Sequence, residues 1–327
     1  MKVLVTGGAG YIGAHVVRAL AEAGHSPVIL DDLRRSQEDR AGGFTLERVA
    51  IENTAAVRRV FKRHRPEAVV HLAGYISVAE SVREPEAYWA ANLAGAASLL
   101  VAAALFPPRV FLFSSTAAVY GNADVSPIPE SAPLRPTSPY GASKLAFERL
   151  LHEAARATGF RSAALRYFNA SGAHPEWHVG EEHDPEEHLI PRVIAALLDG
   201  RPVEVYGNDY PTPDGTCVRD YVHVTDLAEA HVRVLEADAM PSGVSSNCGT
   251  GQGHSVLQVV EALGAALKIR PNVAMKPRRS GDPASLVADP SQLFSQVAWR
   301  PAHSELHEVV ATAVAWELWR RAHRAGR

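Results

Sequence analysis

VTGGAGYIGAHV, a dozen residues at the start of the chain, limits the fold more than any other stretch. Gly7, Gly10 and Gly13 stand between an apolar run, KVLVTG, and a helical pattern over about 11–23. That pattern puts Ile12, Val16 and Leu20 on one face and reaches Gly24 as a stop. The spacing G-x-x-G-x-x-G is a relative of the dinucleotide fingerprint G-x-G-x-x-G. Glycines there let the backbone turn sharply and let a pyrophosphate come close, while the helix N-terminus offers N–H groups and a positive dipole end.

The same alternation continues downstream. KVLVTG is apolar without a break, as in a strand buried on both faces. PVILDD (27–32), AVVHLAG (68–74), RVFLFSS (109–115) and SAALRYFN (162–169) are further strands. Helices are expected near 54–63 and 86–105, and from Tyr140 to about Thr158, ended by Gly159. This is the βαβ rhythm of a parallel sheet. After residue 170 the rhythm breaks. SGAHPEWHVGEEHDPEEHL (171–189) and GNDYPTPDGTCVRDY (207–221) are polar, turn-rich segments. The expected fold is α/β: a doubly wound parallel sheet of Rossmann type with a smaller mixed α/β lobe. Residues 1–170 form the nucleotide-binding domain, to which part of 221–242 returns. Residues 171–220 and 243–327 form the lobe.

A formal net charge of −3 gives no basic excess for nucleic acid and no acidic tail. The longest apolar stretch, AGAASLLVAAALF (94–106), stops at Pro107-Pro108 and is too short to span a bilayer. MKVLVTGGAG enters a strand at once and leaves no room for a signal peptide, so a cytoplasmic protein is expected. Cys217 and Cys248 have no metal or redox spacing and are read as free thiols. The histidines from His174 to His188 alternate with acids but lack a ligand spacing such as H-E-x-x-H. The segment reads as a solvated loop, and no metal is expected.

Asp31 ends the second strand about twenty residues after the glycine turn, where a carboxylate accepts from the adenosine ribose hydroxyls. Arg34 and Arg35 are candidates for a 2′-phosphate, but Asp31 and Asp32 would repel one, so the expected cofactor is NAD and not NADP. In SPYGASK, Tyr140 and Lys144 lie one helical turn apart on the same face. A tyrosine has an ordinary pKa of about 10 and is a poor base at neutrality. An adjacent ammonium and a nicotinium ring would favour its phenolate, which can take a hydroxyl proton as hydride leaves the same carbon. FLFSSTAAVYG ends a strand at the carboxyl edge of the sheet and brings Ser114, Ser115 and Thr116 there, with Thr116 as a proton relay.

VTGGAGYIG, VILDDL, HLAGYISVAESV, FSSTAAVYGN, SPYGASK, LRYFNASGAH and GNDYPTPDGTCVRDYVHV occur in order over more than two hundred residues. Together they resemble the UDP-glucose 4-epimerase family of extended short-chain dehydrogenases/reductases. NCGTGQGHSVLQVV (247–260) and RRSGDPASLVADP (278–290) carry the resemblance almost to the C-terminus. It implies interconversion of UDP-glucose and UDP-galactose through a 4-keto sugar, with Tyr140 as base, Lys144 as its electrostatic partner and Thr116 as relay. The family more often has serine at the relay; threonine keeps the hydroxyl but is stiffer at χ1.

The resemblance further implies an NAD site of Gly7, Gly10, Tyr11, Ile12, Gly13, Asp31, Asp32, Leu33, Ala50, Ile51, Leu72, Ala73, Gly74, Asn92 and Ser114, with Tyr140, Lys144 and Tyr167 at the nicotinamide end. For the UDP-sugar it implies Phe168, Asn169, His188, Leu189, Tyr206, Arg219, Arg279, Asp282 and Leu286, beside Thr116 and Tyr140. Arg219 and Arg279 suit a diphosphate, which needs bidentate cationic forks; the bland alternative for Arg219 is an ion pair with Asp220. Four positions depart from the family pattern. Ile76 replaces a lysine near the cofactor, Ala50 an aspartate at the adenine, and His188 an asparagine beside UDP. Leu286 replaces a larger residue that gates the sugar pocket, which implies room for N-acetylated sugars.

Alternatives within the superfamily are a 4-epimerase of another UDP-sugar (N-acetylhexosamine, pentose or uronate), a dehydrogenase or a dehydratase. Ala117-Ala118 stands where a 4,6-dehydratase needs an acid pair after the relay. A scaffold that had lost catalysis would lack the base or its partner, yet Tyr140, Lys144 and Thr116 are all present. The helices near 86–105 and 140–158 are rich in Ala and Leu on several faces, and the resemblance implies a homodimer through them.

Overall fold

A computed structural model describes residues 1–279 and 281–324. Its centre is a seven-stranded, all-parallel sheet. The strands are β1 (Lys2–Thr6), β2 (Ser26–Asp31), β3 (Thr45–Arg48), β4 (Ala68–His71), β5 (Val110–Thr116), β6 (Arg161–Tyr167) and Val244–Cys248. Their spatial order is β3, β2, β1, β4, β5, β6, then Val244–Cys248. The strand order reverses between β1 and β4, which opens a crevice above their carboxyl ends. Helix α1 (Tyr11–Glu22) and helix Val224–Glu236 pack over one face of the sheet. Helix α2 (Thr54–His64) and helices Ala96–Leu105 and Pro139–Thr158 cover the other.

The expected β1, β2, β4, β5 and β6 form, because their central residues are apolar on both faces and fully enclosed. Two strands escape the sequence reading. β3, TLER, is a half-exposed edge strand with little apolar signal. Val244–Cys248, VSSNC, is mostly polar and yet pairs with β6 from Val244↔Ala163 to Cys248↔Tyr167. The expected lobe boundary at 243 therefore assigns a strand of the main sheet to the lobe. Trp299, buried beneath the same core, belongs with the sheet as well.

The lobe has its own core between helices Leu189–Leu198, Val256–Leu267 and Leu306–Arg324. Strands Val203–Tyr206 and Val273–Lys276 pair beside it. A three-stranded sheet sets Val218–Arg219 between His254–Ser255 and Ser285–Leu286. Within the expected loop 171–189, Ala173–His174 and Val179–Gly180 pair as a short hairpin. The helix expected at 86–105 is a run from Pro85 to Leu105 with a π-helical turn over Ala90–Gly95. By length and composition alone this run could cross a membrane, contrary to the shorter apolar stretch read from sequence. However, 56% of its apolar window is buried inside the fold. Cys217 and Cys248 are free and buried.

Candidate active site

The glycine turn closes as its spacing predicts. Gly7 takes φ +71°, and a Cβ there would lie 2.6 Å from the backbone nitrogen of Ala73. A Cβ on Gly13 would meet the Gly7 carbonyl oxygen at 2.0 Å, so helix and strand approach only because both residues are glycine. Asp31 ties this turn to the end of β2. Its Oδ2 accepts from the Ala9 N–H at 3.1 Å, and its Oδ1 accepts from the Leu33 N–H at 3.0 Å and the Ser36 hydroxyl at 2.7 Å. A carboxylate has about four acceptor positions, so one remains for a ribose hydroxyl.

Neither neighbouring arginine is left for a 2′-phosphate. Arg34 donates to Asp32 at 2.5 Å and to both oxygens of Glu52 at 2.8 and 2.9 Å. Arg35 forks onto Glu80 at 2.8 and 2.7 Å and lies over the Tyr75 ring. The side chains on this crevice therefore fit NAD, a dinucleotide without a 2′-phosphate. Ala50 and Ile51 follow β3, and Leu72, Ala73 and Gly74 follow β4, all at the same carboxyl edge.

Asn92 sits in the π-helical turn with its carboxamide fully engaged. Its Oδ1 accepts from the Tyr75 N–H at 2.8 Å, and its Nδ2 donates to the Tyr75 carbonyl at 3.0 Å and to Ser143 Oγ at 3.3 Å. A Cβ on Gly74 would lie 2.8 Å from Asn92 Oδ1. Asn92 thus ties the Gly74–Tyr75 backbone to helix Pro139–Thr158. The π turn that aims it there is the kind of irregularity that accompanies functional sites.

Helix Pro139–Thr158 is capped by Ser138, whose hydroxyl accepts from the Gly141 N–H at 3.2 Å, with Pro139 at its first position. Tyr140 and Lys144 follow on one face. The Thr116 hydroxyl accepts from the Ala118 N–H at 3.1 Å, and it favours the Tyr140 phenolate by pulling that phenol's pKa down. Lys144 is buried and donates to the Ser114 carbonyl at 3.0 Å. Burial lowers its pKa to about 8, partly opposed by Glu148.

For Tyr140 the sequence reading expects a lowered pKa. The chain's own groups instead raise it, because burial strips the phenolate of water and only the Thr116 hydroxyl pulls the other way. Glu148, one turn beyond Lys144, went unnoticed in the sequence although the spacing Tyr140–Lys144–Glu148 marks one helix face. It holds a buried ion pair with Arg166 at 2.8 Å and accepts from the Ser115 hydroxyl beneath the site.

Tyr167 stands at the end of β6 with its phenol bonded to His231. Tyr11 turns its hydroxyl away to the Gly172 carbonyl at 2.6 Å, leaving its backbone at the start of α1.

The residues expected to hold a nucleoside diphosphate lie on the lobe side. Arg219 donates to the Val218 and Pro283 carbonyls at 2.9 Å and faces Asp282 at 3.7 Å. Its bland reading as a partner of Asp220 fails. Asp220 is enclosed and accepts from the Thr250, Gly251 and Ala288 N–H groups instead. Arg279 stacks over the Tyr206 ring at 4.1 Å. Arg279 and Asp282 line a cleft of about 520 Å³ between residues 122–126 on one side and 278–279 and 281–285 on the other; Tyr140, Lys144 and Thr116 do not line it. Leu286 pairs in register with Arg219. Phe168 is buried, and Asn169 donates to the Asp220 carbonyl at 3.0 Å.

His188 caps helix Leu189–Leu198, with Leu189 as the first residue of that helix. His188 is half-exposed; partial desolvation works against its charge, but Glu181 and Glu186 outweigh that and raise its pKa to about 9. The sequence reads 171–189 as a surface loop, and 181–188 are irregular here, with 184, 185 and 188 exposed. They are tied down: Glu181 Oε1 lies 2.6 Å from His188 Nδ1, and Ser77 bonds Glu187.

Comparison with known proteins agrees with this geometry. The model of the NAD dependent epimerase/dehydratase family matches residues 3–249. The UDP-glucose 4-epimerase of Azospirillum brasilense is 44% identical over 319 residues, 97% of this chain and 92% of that protein. The crystal structure of UDP-glucose 4-epimerase from Brucella ovis in complex with NAD superimposes with a TM-score of 0.92. It shows 41% identity over 96% of this chain and 97% of that one. UDP-glucose-4-epimerase from Stenotrophomonas maltophila, with bound NAD and formylated UDP-arabinopyranose, gives a TM-score of 0.93. Its identity is 38% over the full length of both chains.

Proposed function

This chain belongs to the NAD dependent epimerase/dehydratase family, and on that footing we propose that it is an NAD-dependent UDP-glucose 4-epimerase interconverting UDP-glucose and UDP-galactose. One observation carries the reading. Tyr140 and a buried Lys144, one helical turn apart, stand with Thr116 at the carboxyl edge of β5, between a dinucleotide turn and an arginine-bearing lobe.

When bound, NAD supplies the hydride acceptor and donor. The chain's residues do the rest. Thr116 and Tyr140 take the proton from the sugar C4 hydroxyl as that carbon becomes a ketone, and return it after the ketone has turned over in the site. Lys144 sets a positive charge beside the forming phenolate, held in place by the Ser114 carbonyl. Arg219 and Arg279 hold the diphosphate, leaving the sugar free to rotate about its link to it. Glycines at 7, 10 and 13 keep the turn open for the pyrophosphate, and Asp31 meets the ribose.

The protein is a cytoplasmic homodimer in this reading. Val101 and Leu105 on helix Ala96–Leu105 and Leu150 on helix Pro139–Thr158 are exposed apolar side chains on elements that pack together, a surface suited to a second copy. Light scattering that gave a monomer would refute the dimer. The activity is tested by incubating purified protein with UDP-galactose without added NAD. UDP-glucose as product supports epimerisation with a retained cofactor; no conversion even with NAD supplied overturns the hexose assignment.

A further inference from the structure

The loop dismissed as solvated brings four ligand-type side chains to one point. Glu181, His183, Glu186 and His188 offer one atom each, all within 4.8 Å of one another, on the segment leading into helix Leu189–Leu198. No spacing in the sequence announces them, because an irregular loop, and not a helix turn, gathers them.

The distances have the scale of a coordination shell. His183 Nδ1 lies 3.6 Å from Glu181 Oε1 and 3.5 Å from Glu186 Oε2, and His188 Nδ1 lies 3.6 Å from Glu186 Oε1. A tetrahedron with metal–ligand bonds of about 2.1 Å has edges of about 3.4 Å. The fourth contact, His188 Nδ1 to Glu181 Oε1, is at hydrogen-bond length, 2.6 Å, and would open by under an ångström to join the others.

Two further observations point inward. His183 Nδ1 is buried and makes no hydrogen bond with any described residue, although it faces two carboxylates. Glu186 is already aimed, since its two oxygens accept from the backbone N–H groups of His183 at 3.2 Å and His188 at 2.9 Å. Hydrogen-bonded carboxylate ligands of this sort are what metal sites use to fix geometry. The main chain of Glu181 is anchored by the Trp316 indole at 3.0 Å.

We propose that Glu181, His183, Glu186 and His188 bind one divalent transition ion of the zinc type. Two imidazoles and two carboxylates suit Zn²⁺ better than the all-oxygen shells of Ca²⁺ or Mg²⁺. Protein atoms fill all four positions, so the ion is structural and pins the loop that starts helix Leu189–Leu198.

The test uses untagged, chelator-treated full-length protein in a non-chelating buffer at mildly alkaline pH, where metal competes well with protons for imidazole. Zn²⁺ is titrated by calorimetry, and Co²⁺ is added as a spectroscopic probe. One equivalent bound, with the visible absorption of tetrahedral Co²⁺, is expected. His183→Ala and Glu186→Gln should each weaken Zn²⁺ binding by about 100-fold, the upper end of what loss of even an outer-shell partner costs. Should His183→Ala fail to fold, Glu186→Gln carries the test alone, because its amide oxygen keeps one of the two backbone bonds. No saturable binding, octahedral-type Co²⁺ absorption, or affinity unchanged in Glu186→Gln would overturn the site.

Discussion

Lys144 donates its ammonium to the Ser114 carbonyl at 3.0 Å, fixing a buried charge to the end of β5 with almost no water around it. That charge, one helical turn from the candidate base, is held at the expense of stability. Folding lowers the lysine from 10.5 to about 8. Below pH 8 both states hold the proton and the full penalty applies. Between about 8 and 10.5 the unfolded chain binds more protons, so stability gained from this group rises with pH. The shift corresponds to about 3 kcal/mol.

Lys144→Met should therefore be more stable than the parent at neutral pH, by about 2 kcal/mol once about 1 is subtracted for the orphaned Ser114 carbonyl. Its activity should fall by about 10²–10³-fold, as when a preorganised charge is removed. The stability difference should shrink as pH rises toward 10.5. Urea unfolding at several pH values, with turnover on the same samples, checks all three. A destabilised variant would mean that Lys144 is held mainly by packing.

Tyr140 needs its phenol deprotonated to act as a base, and burial holds that phenol up while Thr116 pulls it down. Thr116→Val removes the downward pull, so the limb over which kcat/KM rises with pH should move to higher pH. Thr116→Ser should restore it. Tyr140→Phe should lose about 10²–10⁴-fold in kcat, the range of a general acid–base group. A pH–rate profile unmoved by Thr116→Val would remove the relay from the site.

Arg34 and Arg35 are held by carboxylates, of which only Asp32 is a sequence neighbour; Glu52 and Glu80 come from further along the chain. Freeing Arg34 by the double change Asp32→Asn and Glu52→Gln releases a guanidinium now held by three carboxylate contacts. NADP should then bind about tenfold more tightly, the worth of one charge-assisted hydrogen bond, with NAD little changed. Titration of apoprotein by nucleotide fluorescence measures both. No gain for NADP would show that Asp31 alone excludes the 2′-phosphate.

How much of this was legible in the sequence follows from where the information lies. Strands β1, β2, β4, β5 and β6 and the glycine turn are local signals, apolar runs and spaced glycines, and they appear where read. VSSNC joins the same sheet but has no strand pattern, because its polar side chains find partners far away. Ser245 Oγ reaches Glu148 at 3.2 Å, and the Asn247 amide reaches the Ile128 carbonyl at 2.7 Å. Asn92 could be placed at the site from the resemblance. Its hold on Tyr75 could not, since that depends on a π turn that no periodicity encodes. The cluster from Glu181 to His188 was visible as residue types and invisible as geometry.

The last prediction concerns what lies under helix Pro139–Thr158. Glu148 and Arg166 form a bidentate pair at 3.1 and 2.8 Å, both side chains more than nine-tenths enclosed. Arg166 also donates to the Tyr120 hydroxyl at 2.9 Å, and Tyr120 in turn bonds Asn247 at 2.7 Å. The network joins helix Pro139–Thr158 to β6, β5 and Val244–Cys248 directly below Lys144. Glu148→Gln keeps the shape but strands the Arg166 charge, which should cost about 3–5 kcal/mol. It also removes an anion that supports the Lys144 ammonium, so Lys144 should titrate lower still. Replacing both partners, Glu148→Gln with Arg166→Met, should recover much of the stability, since the Arg166 guanidinium is no longer stranded. Chemical denaturation of the two variants decides the matter. A double variant no better than the single would mean that shape, and not charge, makes this pair matter.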